Sequence, residues 1–173
     1  FIQLALLSTV WMGTIGFVDD YLKVVRKKPK GMIGRFKLAG QVGFSALLWI
    51  ILVHVDGGEL STSTAVPFFK NIILDWGWLY LPLLILVVTG TSNAVNLTDG
   101  LDGLAIGLSA FAFAGFALLS YLTGNIIYSG YLNIVYLPGA GELTVFCGAV
   151  VGAALGFLWF NAHPAKIFMG DTG

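Results

Sequence analysis

Five apolar stretches alternate with polar segments along this chain of 173 residues. They cover residues 1–18, 38–55, 76–95, 104–122 and 143–160. Each is close to the roughly 20 residues that a helix needs to cross about 30 Å of hydrocarbon. The pattern predicts an all-α protein, a polytopic membrane helical bundle with about five transmembrane helices. No repeat or linker divides the chain, so we expect residues 1–173 to form a single integral membrane domain.

The basic residues are concentrated between the first two stretches. Seven of the nine follow the pair Asp19-Asp20: Lys23, Arg26, Lys27, Lys28, Lys30, Arg35 and Lys37. Short cytoplasmic loops retain Lys and Arg, which predicts that this loop is cytoplasmic. Alternating spans then place residues 93–102 and 161–173 on the same side, and residues 56–71 and 123–142 outside.

Composition agrees with a membrane protein. The chain is 57% hydrophobic and 10% charged, against about 25% charged residues in soluble domains. The single cysteine, Cys147, excludes a disulfide within the chain and a CxxC metal motif. Gly148, Gly152 and Gly156 have the spacing that lets helices pack closely. Because the chain starts at Phe1 inside an apolar stretch, we expect an internal fragment of a longer enzyme.

Asp19 and Asp20 are the first candidates for chemistry. Two adjacent carboxylates beside a basic loop that attracts phosphate could take up a proton or approach a cation. Ionisable residues near membrane depth are usually retained for function. The alternative is a solvated helix end with an Asp19–Lys23 pair at i, i+4, which would contribute only a few tenths of a kcal/mol.

A second polar group runs from Asn93 to Gly103. On a helix, Asp99 and Asp102 would be neighbours, which predicts a cation, a donor or a substrate hydroxyl between them. The alternative makes Asp99 the N-cap of the fourth helix. Capping does not account for Asp102 or for Asn96, so a ligand-binding role is the stronger interpretation. Leu101 stands where an EF-hand needs an oxygen ligand, which excludes that kind of calcium loop.

The last polar segment, residues 160–173, contains Asp171 between Gly170 and Thr172. A hard cation such as Mg²⁺ takes a small number of carboxylates plus phosphate oxygens, and Asp171 could supply one of them. His163 precedes Pro164, and the pattern favours a helix-end cap over a catalytic role.

These motifs together resemble those of the phospho-N-acetylmuramoyl-pentapeptide transferases, within the polyprenyl-phosphate N-acetylhexosamine-1-phosphate transferase superfamily. The residues that carry the resemblance lie in three segments: FVDDYLK at 17–23, NAVNLTDGLDGL at 93–104 and NAHPAKIFMGDTG at 161–173. The resemblance implies a Mg²⁺-dependent phosphoglycosyl transferase of the bacterial inner membrane with a cytoplasmic active site. It would transfer phospho-MurNAc-pentapeptide from UDP to undecaprenyl phosphate, giving lipid I and UMP for peptidoglycan synthesis.

The resemblance also assigns roles to individual residues. It makes Asp19, Asp20 and Asp171 catalytic, with one member of the adjacent pair deprotonating the lipid phosphate. It makes Asp171 the magnesium ligand and Asn96 a further ligand. The substrate-binding positions are then Lys23, Asn96, Asp99, Asp102, Asn161 and Phe168, with Phe168 stacking on uracil.

Two other functions remain as alternatives. A sister transferase loads GlcNAc-1-phosphate onto the same lipid and shares the DGLDG and MGDTG segments. A membrane transporter would need charges inside the apolar stretches, whereas the acids here lie at their ends. The implied partners are UDP-MurNAc-pentapeptide, undecaprenyl phosphate and the bilayer, with no nucleic acid and with a homodimer left open. The family's histidine-rich motif lies downstream of Gly173, so residues 1–173 alone are expected to be inactive.

Overall fold

The computed structural model describes residues 1–27, 31–56, 62–66 and 69–172. Five helices in it are long and apolar enough to cross a membrane: Ile2–Val24, Gly34–His54, Gly77–Thr98, Leu104–Gly124 and Gly141–Asn161. Each coincides with one predicted stretch. The prediction of a polytopic helical bundle with five spans is confirmed, and the protein is a multi-pass membrane protein. Lys28 and Lys30 of the basic loop lie outside the described residues.

The regular elements follow one another in a simple order. They are α1 (Ile2–Val24), α2 (Gly34–Ile51) with a π-helical continuation (Leu52–Asp56), β1 (Ser63–Val66), β2 (Phe69–Asp75), a 3₁₀ turn (Gly77–Leu79), α3 (Tyr80–Thr98), α4 (Leu104–Gly124), α5 (Ile126–Tyr131) and α6 (Gly141–Asn161). The chain divides into two compact units: Phe1–Leu7 with Val95–Met169, and Ser8–Ala94 with Gly170–Gly173. We call them unit 1 and unit 2. The single domain stays a prediction.

In unit 1, α4 and α6 pack against each other through a small apolar core. Ile106 and Ala110 of α4 and Ala154 of α6 form the buried cluster, and Phe157, Leu158 and Met169 pack on it. The glycines predicted to bring helices together are not at this contact. A Cβ added at Gly148, Gly152 or Gly156 would have no described atom within 4 Å. Their packing role stays a prediction, because the spacing of small residues does not show which face of α6 meets which neighbour.

In unit 2, α2 and α3 are joined by polar side chains within their apolar spans. Gln41 is buried, and its Nε2 donates to Ser92 Oγ at 3.0 Å. Asn93 Nδ2 donates to Gln41 Oε1 at 3.3 Å. Such bonds between membrane helices average about 0.6 kcal/mol. They fix the rotation of α2, the helix that carries Lys37.

A hairpin and a short helix, neither of them predicted, occupy the two connections expected outside the membrane. The strands β1 and β2 pair in an antiparallel register, with Ser63 opposite Asp75. Asp75 accepts from Thr62 Oγ1 at 2.7 Å and from the Gly77 N–H at 3.0 Å. Asn125 caps α5 by accepting from the N–H groups of Ile127 and Tyr128.

Candidate active site

The last turns of α1 carry Asp19, Asp20 and Lys23. The first apolar stretch ends at Val18, and the helix continues beyond it to Val24. Asp19 is only 4% exposed, and a buried carboxylate needs partners. It has two: Lys23 Nζ lies 2.6 Å from Oδ2, and the Met32 backbone N–H donates to Oδ1. Asp19 therefore ties the end of the α1–α2 connection, next to α2, to the last turns of α1.

Asp20 bonds a segment distant in sequence, residues 170–172. Its Oδ1 accepts from the Asp171 N–H at 3.1 Å. Its Oδ2 accepts from the Thr172 N–H at 2.9 Å and from the Thr172 hydroxyl. Gly170 has φ +67°, a conformation that L side chains rarely adopt, and a Cβ there would lie 2.9 Å from Asp20 Oδ2. Asp20 thus holds the backbone that presents Asp171.

Asp171 receives two ammonium groups on one oxygen. Lys23 Nζ lies 3.0 Å from Oδ2 and Lys37 Nζ, from α2, lies 3.1 Å from the same atom. Carboxylate oxygens of Asp19, Asp20 and Asp171 all lie within 4.8 Å of one another. Three carboxylates and two lysines from α1, α2 and the 170–172 segment therefore form one charged cluster in unit 2. Such a cluster can hold a hard cation and an anionic oxygen side by side.

In unit 1, Asp102 and Asn161 are both engaged with the segment that follows α6. Asp102 Oδ2 accepts from the Ala165 N–H at 3.1 Å and lies 3.1 Å from His163 Nδ1. These contacts, that of Ala165 first and that of His163 second, lower the pKa of Asp102. The predicted cap role of His163 is wrong, since its ring faces a carboxylate and not the end of a helix.

Asn161 is buried and uses both ends of its amide. Its Oδ1 accepts from the Gly103 N–H at 3.0 Å, and its Nδ2 donates to the Ile167 carbonyl at 2.8 Å. Asn161 thus links the turn before α4 to the segment before Phe168. Met169 packs on the α4–α6 core, whereas the Phe168 side chain is 74% exposed. The two neighbours leave Phe168 presented on the surface as a flat apolar ring.

Asp99 lies in the turn between α3 and α4, and Asn96 lies on the last turns of α3. The helical spacing assumed for Asp99 and Asp102 is wrong, because residues 99–103 form a turn. Gly103 has φ +75° and is itself the N-cap of α4, so Asp99 does not cap that helix. The ligand-binding roles of Asn96, Asp99 and Asp102 stay predictions.

Comparison with known proteins identifies the family of the chain. Glycosyl transferase family 4 matches residues 2–173. The chain belongs to this family. It is 51% identical over its whole length to the phospho-N-acetylmuramoyl-pentapeptide-transferase of Chlorobium phaeobacteroides (strain BS1), of which it covers 47%. It is 54% identical to the protein of the same name from Citrifermentans bemidjiense, again over the whole chain and 48% of the relative. The chain spans about half the length of the curated relatives it matches.

Within this family 4 chain, the structure adds three residues that our sequence-based assignment of roles omitted. Lys37 pairs with Asp171, Thr172 bonds Asp20, and Gly16 contacts the 171–172 backbone. Lys37 was noted in the sequence as one of seven basic residues of the loop, but nothing distinguished it from the other six. Nothing in the sequence singled out Gly16, and Thr172 stood out only as part of the motif at 161–173, because their contacts join segments far apart in the chain.

Proposed function

We propose that the complete protein transfers phospho-MurNAc-pentapeptide from UDP to undecaprenyl phosphate, forming lipid I and UMP. The observation that carries the proposal is the cluster of Asp19, Asp20 and Asp171, within 4.8 Å, beside Lys23 and Lys37. A transfer between two phosphate-bearing substrates needs such a mixture of charges. The names of the relatives and the three matching motifs support the choice of substrates.

Mg²⁺ is the proposed cofactor, and the donor set fits it. Mg²⁺ prefers oxygen ligands, usually one or two carboxylates together with substrate phosphates. Asp171 would hold the ion with Asp19 or Asp20, and Asn96 is a further ligand proposed from the resemblance alone. When bound, the ion would neutralise phosphate charge during transfer.

The chain's own residues would perform the remaining steps. We propose that Asp19 or Asp20 takes a proton from the lipid phosphate, whose oxygen then attacks the sugar-bearing phosphorus of the UDP substrate. The bond from that phosphorus to UMP breaks, and UMP leaves. Lys23 and Lys37 are placed to accompany the negative charge that moves between these oxygens.

The nucleotide site is proposed around Phe168. A ring so exposed next to a tightly held segment can stack on uracil, and base stacking contributes about 1–3 kcal/mol per base in nucleic-acid sites. Lys23, Asn96, Asp99, Asp102 and Asn161 are proposed as the other substrate-binding residues, as the resemblance implies. We place this site on the cytoplasmic side of a bacterial inner membrane, because the basic loop that follows Asp19 and Asp20 would remain in the cytoplasm.

The test is an assay of UMP release by the complete protein with undecaprenyl phosphate. We expect release with UDP-MurNAc-pentapeptide and little with UDP-GlcNAc. The reverse preference would favour the sister transferase, and no release with either would contradict the proposal.

Site variants then separate the roles. Asp171→Asn should abolish release, because it removes an anionic ligand while keeping the side chain's size. Asp75→Asn is the matched control, since Asp75 lies in the hairpin away from the cluster within unit 2 and its Oδ1 acceptor is retained. Phe168→Ala should instead raise the KM for the UDP substrate. Normal turnover by Asp171→Asn would remove the metal assignment, and an unchanged KM in Phe168→Ala would remove the stacking role.

A further inference from the structure

Gly16 lies buried on α1, one turn before Asp19 and Asp20, at the point where the chain returns as residues 171–172. A Cβ added at Gly16 would overlap the Asp171 carbonyl oxygen. It would also lie 2.7 Å from the Asp171 carbonyl carbon and 2.9 Å from Thr172 Cα. All three are backbone atoms, which cannot swing aside as the end of a flexible side chain can. The backbone of residues 171–172 therefore occupies the space of the missing side chain.

Asp20 lies four residues after Gly16, and residues at that spacing share one face of a helix. From there its carboxylate accepts three hydrogen bonds from residues 171 and 172, one of them from the Thr172 hydroxyl. The segment is thus pressed against α1 at Gly16 and bonded to α1 at Asp20. We call this arrangement the Asp171 seat, made of Gly16, Asp20 and the backbone and hydroxyl of Asp171–Thr172.

The close approach is specific to this position. Gly13 lies one turn earlier on α1, and a Cβ added there would have no described atom within 4 Å. The glycines of α1 therefore do not share a general packing role. Only the one at position 16 is in contact with the segment that carries Asp171.

We propose that Gly16 and Thr172 are positioning residues that set the place of the Asp171 carboxylate for metal binding. The inference rests on the proposed function, in which Asp171 is the metal ligand. Neither residue is proposed to contact substrate: Gly16 has no side chain, and the Thr172 hydroxyl donates to Asp20. Their effect passes through the backbone of residue 171, which decides whether the carboxylate stays within reach of Asp19 and Asp20.

The first experiment compares Gly16→Ala with Gly13→Ala in the complete purified protein. Mn²⁺ binding is measured by electron paramagnetic resonance without substrates, with Mg²⁺ as competitor. Changes to groups that support a metal ligand typically weaken metal binding by about 10–100-fold. We expect a loss in that range for Gly16→Ala, and binding like that of the wild type for Gly13→Ala.

Kinetics provides a second readout of the same pair. In Gly16→Ala, kcat should fall and the Mg²⁺ concentration for half-maximal rate should rise, while the KM for the UDP substrate stays unchanged. Wild-type Mn²⁺ affinity in Gly16→Ala, or an equal loss in Gly13→Ala, would overturn the role of Gly16. Melting temperatures of both variants show whether a loss follows from unfolding.

Thr172 gives a test that does not depend on α1 tolerating a new side chain. Its hydroxyl is exposed, so Thr172→Val should fold normally yet bind Mn²⁺ more weakly, whereas Thr172→Ser should restore binding. Equal binding by Val and Ser variants would overturn its role. Wild-type protein that binds Mn²⁺ but releases no UMP would contradict the proposed function, without contradicting the positioning roles of Gly16 and Thr172. Wild-type protein that binds no Mn²⁺ would overturn the seat as a metal-positioning device.

Discussion

Lys37 and Asp171 are 134 positions apart in the chain, and an ion pair of 3.1 Å joins Lys37 Nζ to Asp171 Oδ2. Lys23 Nζ reaches the same oxygen at 3.0 Å. A divalent ion bound by that oxygen would have to share it with two ammonium groups or displace them. The lysines would therefore oppose the metal ion proposed at Asp171, while supplying positive charge for the proposed phosphate groups.

The first prediction follows from this opposition. Lys37→Met should bind Mn²⁺ more tightly without substrates, yet turn over more slowly. Two unit charges about 4 Å apart interact by about 1 kcal/mol even at the dielectric constant of water, so the gain should be at least about fivefold. Titration by electron paramagnetic resonance measures it. Arg35→Met, an exposed basic residue of the same helix, is the control. Weaker Mn²⁺ binding in Lys37→Met would contradict the prediction.

Asn161→Ala should weaken both folding and substrate binding. The change leaves the Gly103 N–H and the Ile167 carbonyl without their partner, and an unsatisfied buried group costs about 1–3 kcal/mol. Because Asn161 holds the segment before Phe168, the KM for the UDP substrate should rise together with the loss of thermal stability. Asn161→Asp keeps the acceptor for the Gly103 N–H but sets a buried carboxylate against the Ile167 carbonyl, so it should destabilise the protein at least as much as Asn161→Ala. A raised melting temperature or an unchanged KM in Asn161→Ala would refute the linkage.

The lowered pKa of Asp102 predicts how the stability of the folded protein changes with pH. The Ala165 N–H and His163 lower the pKa of Asp102 in the folded protein. Its stabilising contribution is therefore fully present above the ordinary value of about 3.9 and is lost as the pH falls through the lowered pKa. The difference in melting temperature between the wild-type protein and the Asp102→Asn variant should be constant from about pH 5 to pH 8 and should shrink only below about pH 4. A His163→Gln background removes the titration of the ring, and a difference that changed near pH 6 would contradict the assignment.

The threading of the chain can be checked by cysteine labelling after Cys147→Ala. Single cysteines at positions 26, 99 and 166 should be protected from an impermeant external reagent, because the basic loop keeps that side in the cytoplasm. Cysteines at positions 63 and 130 should react. External labelling at position 26 would reverse the orientation of every span.

The five spans could be predicted because apolar length alone specifies a membrane helix. The burial of Asp19 could not be predicted, because it depends on the pairing of its carboxylate with Lys23 and with the Met32 N–H. The turn at residues 99–103 was not predicted, because the three-residue spacing of Asp99 and Asp102 suggested a helix. In the structure, α4 begins only after Gly103, whose positive φ ends the turn.

The residue types of the charged cluster were predicted, but their pairing was not. Asp20 and Thr172 are separated by 152 positions, and the rotation of α1 decides which of its side chains meets the returning segment. That rotation depends on contacts such as that of Gly16 with the backbone of residues 171–172, which no pattern in the sequence predicts. The β hairpin was not predicted because its strands are short and lie directly before an apolar span.

Asp19 and Asp20 are neighbours in α1, yet each is bonded to a different part of unit 2. Asp19 holds Met32 at the entry to α2, and Asp20 holds Thr172 beyond α6. One turn of helix is thus a common pivot for the basic loop and for the segment bearing Asp171. A rotation of α1 would therefore displace Met32 and Thr172 together, so the two segments are mechanically coupled through a single turn of helix.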